Sequence, residues 1–195
     1  IIVSLVGSEM CIRDRDFYGS KYTSSRIKTK KSWKYGRFEI RAKLPKGIGT
    51  WAAFWGLPTE WKYGNWPNSG EIDVLEHVGF EEGHIVSSVH NIAHHGDLSR
   101  SDQTNYVIAK NVVNSFNDYV LEWDEKEIKT FINDKLIFSY PKNDQPWERW
   151  PFDEKFHFIL NIAVGGNWGG MKGIDDTAFP TKMEIEHFRV YKKNT

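Results

Sequence analysis

From Phe17 to Tyr191 the chain alternates apolar and polar positions, and Gly, Pro, Asn and Asp interrupt the alternation at short intervals. A two-residue period is the signature of a β-strand with one buried face. Between 35 and 44, Phe38, Ile40, Ala42 and Leu44 alternate with Arg37, Glu39, Arg41 and Lys43. One face of that strand belongs to a core and the other is charged. The same reading predicts strands over 22–29, 51–57, 71–77, 84–91, 116–123, 127–132, 136–140, 156–164 and 183–191. Asn133-Asp134 between two such runs predicts a tight hairpin. About ten strands with short turns and little helix predict an all-β fold, an antiparallel β-sandwich.

The run from Ser69 to His77 departs from the rhythm. Three carboxylates, Glu71, Asp73 and Glu76, lie among Ile72, Val74 and Leu75. Alternation puts Glu71 and Asp73 on one face and Glu76 on the other. One extra residue at Val74-Leu75, a β-bulge, restores the phase and turns all three acids the same way. Glu71 and Glu76 are then about four strand steps apart, roughly 13 Å between Cα atoms. Side chains leaning toward each other bring the carboxyls to about 5–6 Å, the spacing of a retaining glycosidase. One acid attacks the sugar and the other protonates the leaving oxygen. Asp73 between them is placed to share a proton with Glu71. The acids alone leave open a solvated strand face or a calcium site, although calcium ligands usually come from a loop rich in Asp, Asn and Gly.

Composition narrows the choice. The 195 residues fit one domain. The formal net charge of zero favours neither nucleic acid nor an anionic membrane. Nine tryptophans exceed what a small core needs and fit a saccharide cleft, where indole faces stack on sugar rings. With Cys11 as its one cysteine the chain forms no internal disulfide. No apolar run approaches membrane-spanning length.

The segment Trp66-Pro67-Asn68-Ser69-Gly70-Glu71-Ile72-Asp73-Val74-Leu75-Glu76 resembles the catalytic signature of glycoside hydrolase family 16, in the bulged form of its laminarinases. Tyr35 to Pro45, Trp51 to Trp55, Asn161 to Trp168 and Phe188 to Tyr191 resemble further family segments, in family order. The resemblance implies a concanavalin-like jelly roll with a concave substrate cleft. It implies a retaining endo-β-glucanase cutting β-1,3 linkages in laminarin-type glucans without a cofactor. Glu71 matches the nucleophile, Asp73 the assisting acid and Glu76 the acid/base. Trp66 matches a tryptophan beside the sugar to be cleaved. Trp51 and Trp55 match cleft tryptophans, although Ala52-Ala53 beside them would otherwise suggest core. Arg41 and Glu39 match cleft residues that bind sugar hydroxyls. His90 matches a position on the leaving-group side. Asn161, an amide among apolar neighbours, is expected to point into the cleft. Trp168, after Gly165-Gly166-Asn167, is expected over the sugars.

Alternatives are a mixed-linkage β-1,3-1,4-glucanase, a galactan hydrolase such as an agarase, a non-catalytic β-glucan-binding module and a purely structural sandwich. The family calcium site falls where this chain has Glu186 instead of Asp, which makes calcium doubtful and leaves no metal ligand to assign. Residues 1–15 resemble translated adaptor read-through and are set apart from the fold. Residues 16–195 are read as a catalytic domain lacking its N-terminal strands. A monomer that acts on β-glucan and is itself secreted, periplasmic or at the cell surface is expected from the polymeric substrate.

Overall fold

The structure is a computed structural model. It describes residues 5–17 by their backbone course, and residues 19–95 and 103–192 in full. Two antiparallel sheets face each other. The seven-stranded sheet runs β11 (Lys135–Pro141), β10 (Glu127–Ile132), β9 (Asn117–Trp123), β4 (Gly36–Lys43), β13 (Thr181–Tyr191), β1 (Leu5–Phe17), β2 (Ser20–Thr23). The six-stranded sheet runs β3 (Arg26–Lys28), β12 (Phe156–Val164), β5 (Thr50–Pro58), β6 (Glu71–Val78), β7 (His84–His90), β8 (Thr104–Ile108). The one helical element described is a short 3-10 turn, Asp176–Ala178. This is the antiparallel sandwich the alternation predicts. No helix among the described residues is long and apolar enough to cross a membrane.

Interdigitating rings fill the space between the sheets. Phe38 and Phe188 from one sheet meet Phe54 and Phe158 from the other, with Phe38 and Phe158 centroids 4.3 Å apart. Side chains from two inner faces meshing this way are what hold a sandwich together. The hairpin at Asn133-Asp134 forms as expected, with both residues at positive φ.

Three features differ from the sequence expectation. The single strand over 22–29 is two strands in different sheets, because the chain changes sheet at Ser24-Ser25; Ser24 Oγ donates to the Ile162 carbonyl at 2.5 Å. Strand β8 was not expected. Its Tyr106 and Ile108 are exposed, so it carries little core signal. Residues 5–15, set apart from the fold on sequence, run instead as part of β1 along β13, in register from Leu5 opposite Phe188 to Ile12 opposite Thr181. Residues 1–4 lie outside the described residues.

The bulge in β6 is present. Asp73 pairs with Ser88 and Glu76 with Val86, so three steps on β6 oppose two on β7. The other neighbour shows the same shift, with Phe54 opposite Leu75 and Trp55 opposite Asp73. Val74 and Leu75 are both fully buried. A bulge leaves backbone groups without ladder partners, and Ser87 Oγ donates to the Val74 carbonyl at 2.6 Å. Ser87→Ala removes that donor and leaves a buried carbonyl unsatisfied. The expected cost is about 1–3 kcal/mol, read as a lower urea midpoint at unchanged slope. An unchanged midpoint would mean that the hydroxyl does not support the bulge.

Candidate active site

With the bulge in place, Glu71, Asp73 and Glu76 share the outer face of the six-stranded sheet. Their partners on β7 are His90, Ser88 and Val86, and the outer two lie four residues apart as the sequence geometry requires. On β5, Trp51, Ala53 and Trp55 lie on the same face. On β12, Asn161 lies opposite Ala53. Asp73 and Glu76 are buried, at 3% and 9% exposure.

Each outer acid is held by an indole. Trp66 Nε1 donates to Glu71 Oε2 at 2.8 Å, and Trp51 Nε1 donates to Glu76 Oε1 at 3.1 Å. Trp66 stands in a tight loop. Ser69 Oγ donates to the Gly64 carbonyl at 2.7 Å and accepts from Tyr63 N at 3.0 Å, and Gly70 N donates to the Pro67 carbonyl. Gly70 turns into β6 at φ +87° against Phe152, where a Cβ would lie 2.8 Å from the ring. No other residue fits that approach without strain.

Trp168 packs edge-on against Trp51 at 5.6 Å, beyond Gly165-Gly166 with both glycines at positive φ. Trp55 Nε1 donates to Asn161 Oδ1 at 2.7 Å, which fixes the amide in the face as expected. Asp73 Oδ2 accepts from Ser88 Oγ at 2.9 Å and lies 3.0 Å from His90 Nε2. Ser88 is an anchor that the sequence reading missed, although a polar residue two before His90 in an apolar strand marks the same face. Arg26 was also missed; its guanidinium lies 4.8 Å from the Trp55 ring centroid.

Arg41 and Glu39 are the correction. Their strand, β4, pairs with β9 and β13 in the opposite sheet. Arg41 is bound to Asp118 and Glu186, and Glu39 lies beside Arg37 and His187. Neither reaches the acids. The alternation of β4 separates its faces, but it carries no information on which sheet the strand joins.

Burial and the charge of Asp73 push Glu71 up to about 9. The same two causes push Glu76 up to about 8. Burial works against a charged His90, but the hydrogen bond to Asp73 and the charges of all three acids prevail and raise it to about 9. At neutral pH the site therefore holds an imidazolium and fewer than three negative charges. Glu71, hydrogen-bonded to Asp73, and Glu76 both hold their protons at neutral pH.

Two groups place three ligand atoms within 4.8 Å of one another: Glu71, Asp73 and His90, and Glu39, Asp118 and His187. In the first, a cation must displace the proton on His90. In the second, Arg41 already neutralises Asp118. Glu186, the residue expected at the family's calcium position, accepts from Arg41 Nε at 2.9 Å. A cavity of about 710 Å³ opens beside Tyr35, Arg37 and Glu122 and holds none of the three acids.

Buried paired acids, a charged histidine and a wall of indoles define a site for sugar chemistry. The comparisons agree. The family model described as glycosyl hydrolases family 16 matches residues 7–187. A β-glucanase of Rhodothermus marinus is 42% identical over 189 residues, covering 92% of this chain. The glucan endo-1,3-β-glucosidase A1 of Niallia circulans is 36% identical over 186 residues, covering 89% of it. The chain spans 66% of the first relative's length and 27% of the second's. The crystal structure of the laminarinase from Rhodothermus marinus superposes with a TM-score of 0.93 at 41% identity, over 97% of this chain and 78% of that one. The chain belongs to glycoside hydrolase family 16, and its sandwich is the family's jelly roll.

The raised Glu76 has a consequence for stability. An unfolded Glu ionises near 4.5, the folded one near 8. The stability it contributes is complete below pH 4.5 and drains away as pH rises to about 8. A glutamine there cannot ionise. Glu76→Gln is expected to melt several degrees above the parent at pH 8 and at the same temperature at pH 4. Equal melting at both pH values would contradict the burial argument.

Proposed function

We propose that this chain is a retaining endo-β-glucanase that hydrolyses β-1,3 linkages in laminarin-type β-glucans. The observation that carries the reading is the bulged strand, with Glu71 and Glu76 on one face, Asp73 between them, and an indole N–H on each outer acid. The names of the relatives support the substrate class.

Glu71 attacks the anomeric carbon as a carboxylate, and its proton passes to Asp73. Glu76 gives its proton to the glycosidic oxygen as that bond breaks. A glycosyl ester on Glu71 results. Glu76, now a carboxylate, takes a proton from water as the water attacks the ester carbon, and Glu71 leaves. Two displacements at one carbon retain its configuration. His90 and Ser88 hold Asp73 in place between proton transfers. Trp66, Trp51, Trp55 and Trp168 offer faces and edges to the sugar rings on either side of the acids. The steps require carboxyl groups and water. A polymer of this size is met outside the cytoplasmic membrane, which supports a secreted or surface location.

Reducing-sugar release from laminarin, lichenan and agarose tests the reading. Cleavage of laminarin is expected, with a Glu76→Gln loss of about 10²–10⁴-fold. On an aryl glucoside oligomer, whose leaving group needs no proton, Glu76→Gln should recover the first displacement alone, read as a burst of released phenol followed by slow turnover, because water still lacks its base. Cleavage of lichenan alone would move the substrate to mixed-linkage glucan. A folded parent that binds laminarin and cuts none of the three would be a binding module.

A further inference from the structure

The acid-bearing face continues past Trp55 to the edge strand β3. Ile159 lies opposite both Trp55 and Lys28, and Asn161 opposite both Ala53 and Arg26. Residues directly opposite one another in antiparallel strands share a face. Arg26 and Lys28 therefore stand on the face of Glu71 and Glu76, three strand spacings away, about 14 Å. There Arg26, Lys28, Leu57, His157 and Ile159 line a cavity of about 370 Å³.

The lining is one-sided in charge. It includes two cations and an imidazole, with no carboxylate. Among the described residues neither Arg26 nor Lys28 has an ion-pair partner, whereas most basic side chains on the opposite sheet do. Arg26 is fixed by stacking on Trp55, whose own N–H is committed to Asn161. Its remaining N–H groups are free to form a fork. Burial, Lys28 and Arg26 together lower His157. A neutral glucan uses none of this positive potential.

We propose that the β3 end of the cleft is a subsite for an anionic substituent, a sulfate or a carboxylate, on the saccharide chain. The anion would sit between the Arg26 fork and the Lys28 ammonium, with its ring over Leu57 and Ile159. This deepens the glucanase reading and rests on the same cleft.

The test is calorimetry on the Glu71→Gln chain, which holds ligand without turnover. The probes are a neutral β-1,3-glucan hexasaccharide, the same chain bearing 6-sulfates, and the same chain oxidised to 6-carboxylates. At low salt the charged probes are expected to bind about three- to tenfold more tightly than the neutral one. The advantage should shrink in high salt, vanish with Lys28→Gln and reverse with Lys28→Glu. The sulfate and carboxylate arms show which anion fits better. Equal affinity for neutral and charged probes, or an advantage that survives Lys28→Glu, overturns the subsite and leaves the glucanase reading intact. Lys28-dependent binding of charged probes with no neutral binding upholds the subsite and overturns the neutral-glucan reading. No binding by any probe overturns both.

Discussion

Everything at the site depends on one inserted residue in β6. A strand turns alternate side chains to opposite faces, so Glu71 and Glu76 on an unbroken strand would straddle the sheet. One of them would then be an ionisable group in a core of phenylalanines, which is among the most costly placements in a protein. Val74 and Leu75 instead both sink into the core, and Glu76 returns to the outer face. The core accepts two adjacent apolar side chains because β5 and β7 shift register with them and Ser87 satisfies the Val74 carbonyl. The same local distortion serves packing and chemistry.

The face that receives the acids is only partly wet. Asp73 and Glu76 are buried, and burial opposes their charge. The surroundings offset this unevenly. Indole N–H groups from Trp66 and Trp51 support the outer acids, while Ser88 and His90 concentrate on Asp73. Burial and the charge of Asp73 raise Glu71 and Glu76, so both outer acids hold protons at neutral pH. In the proposed reaction Glu71 passes its proton to Asp73, and Glu76 keeps its own for the leaving oxygen. Burial of the acids also stores instability at the catalytic strand, a common companion of active sites.

The sequence disclosed the parts governed by local geometry. Spacing within Glu71-Ile72-Asp73-Val74-Leu75-Glu76 demanded the bulge, and the alternation around Phe38 and Ile40 identified the inner face of β4. What stayed hidden depends on where strands are placed. Glu39 and Arg41 face outward as expected, but into the other sheet, because sheet membership is decided by distant partners on β9 and β13. The split of β2 from β3 escaped notice because β propensity runs on through Ser24-Ser25 while the chain changes layers. Strand β8 escaped because Tyr106 and Ile108 lie on the outside, so their apolar character mimicked no core pattern. Arg26 became visible only when β3 lay beside β12 and brought it over Trp55.

The central claim is that Glu71 forms the bond to the sugar, with Glu76 as its proton partner. Trapping the intermediate tests this most directly. A 2-deoxy-2-fluoro β-1,3-glucan oligomer with an activated leaving group should label the folded chain once. Peptide mass mapping should place the adduct on Glu71, and the parent's first product from laminarin should be the β-anomer. An adduct on Glu76, or an α-anomer as first product, would contradict the account.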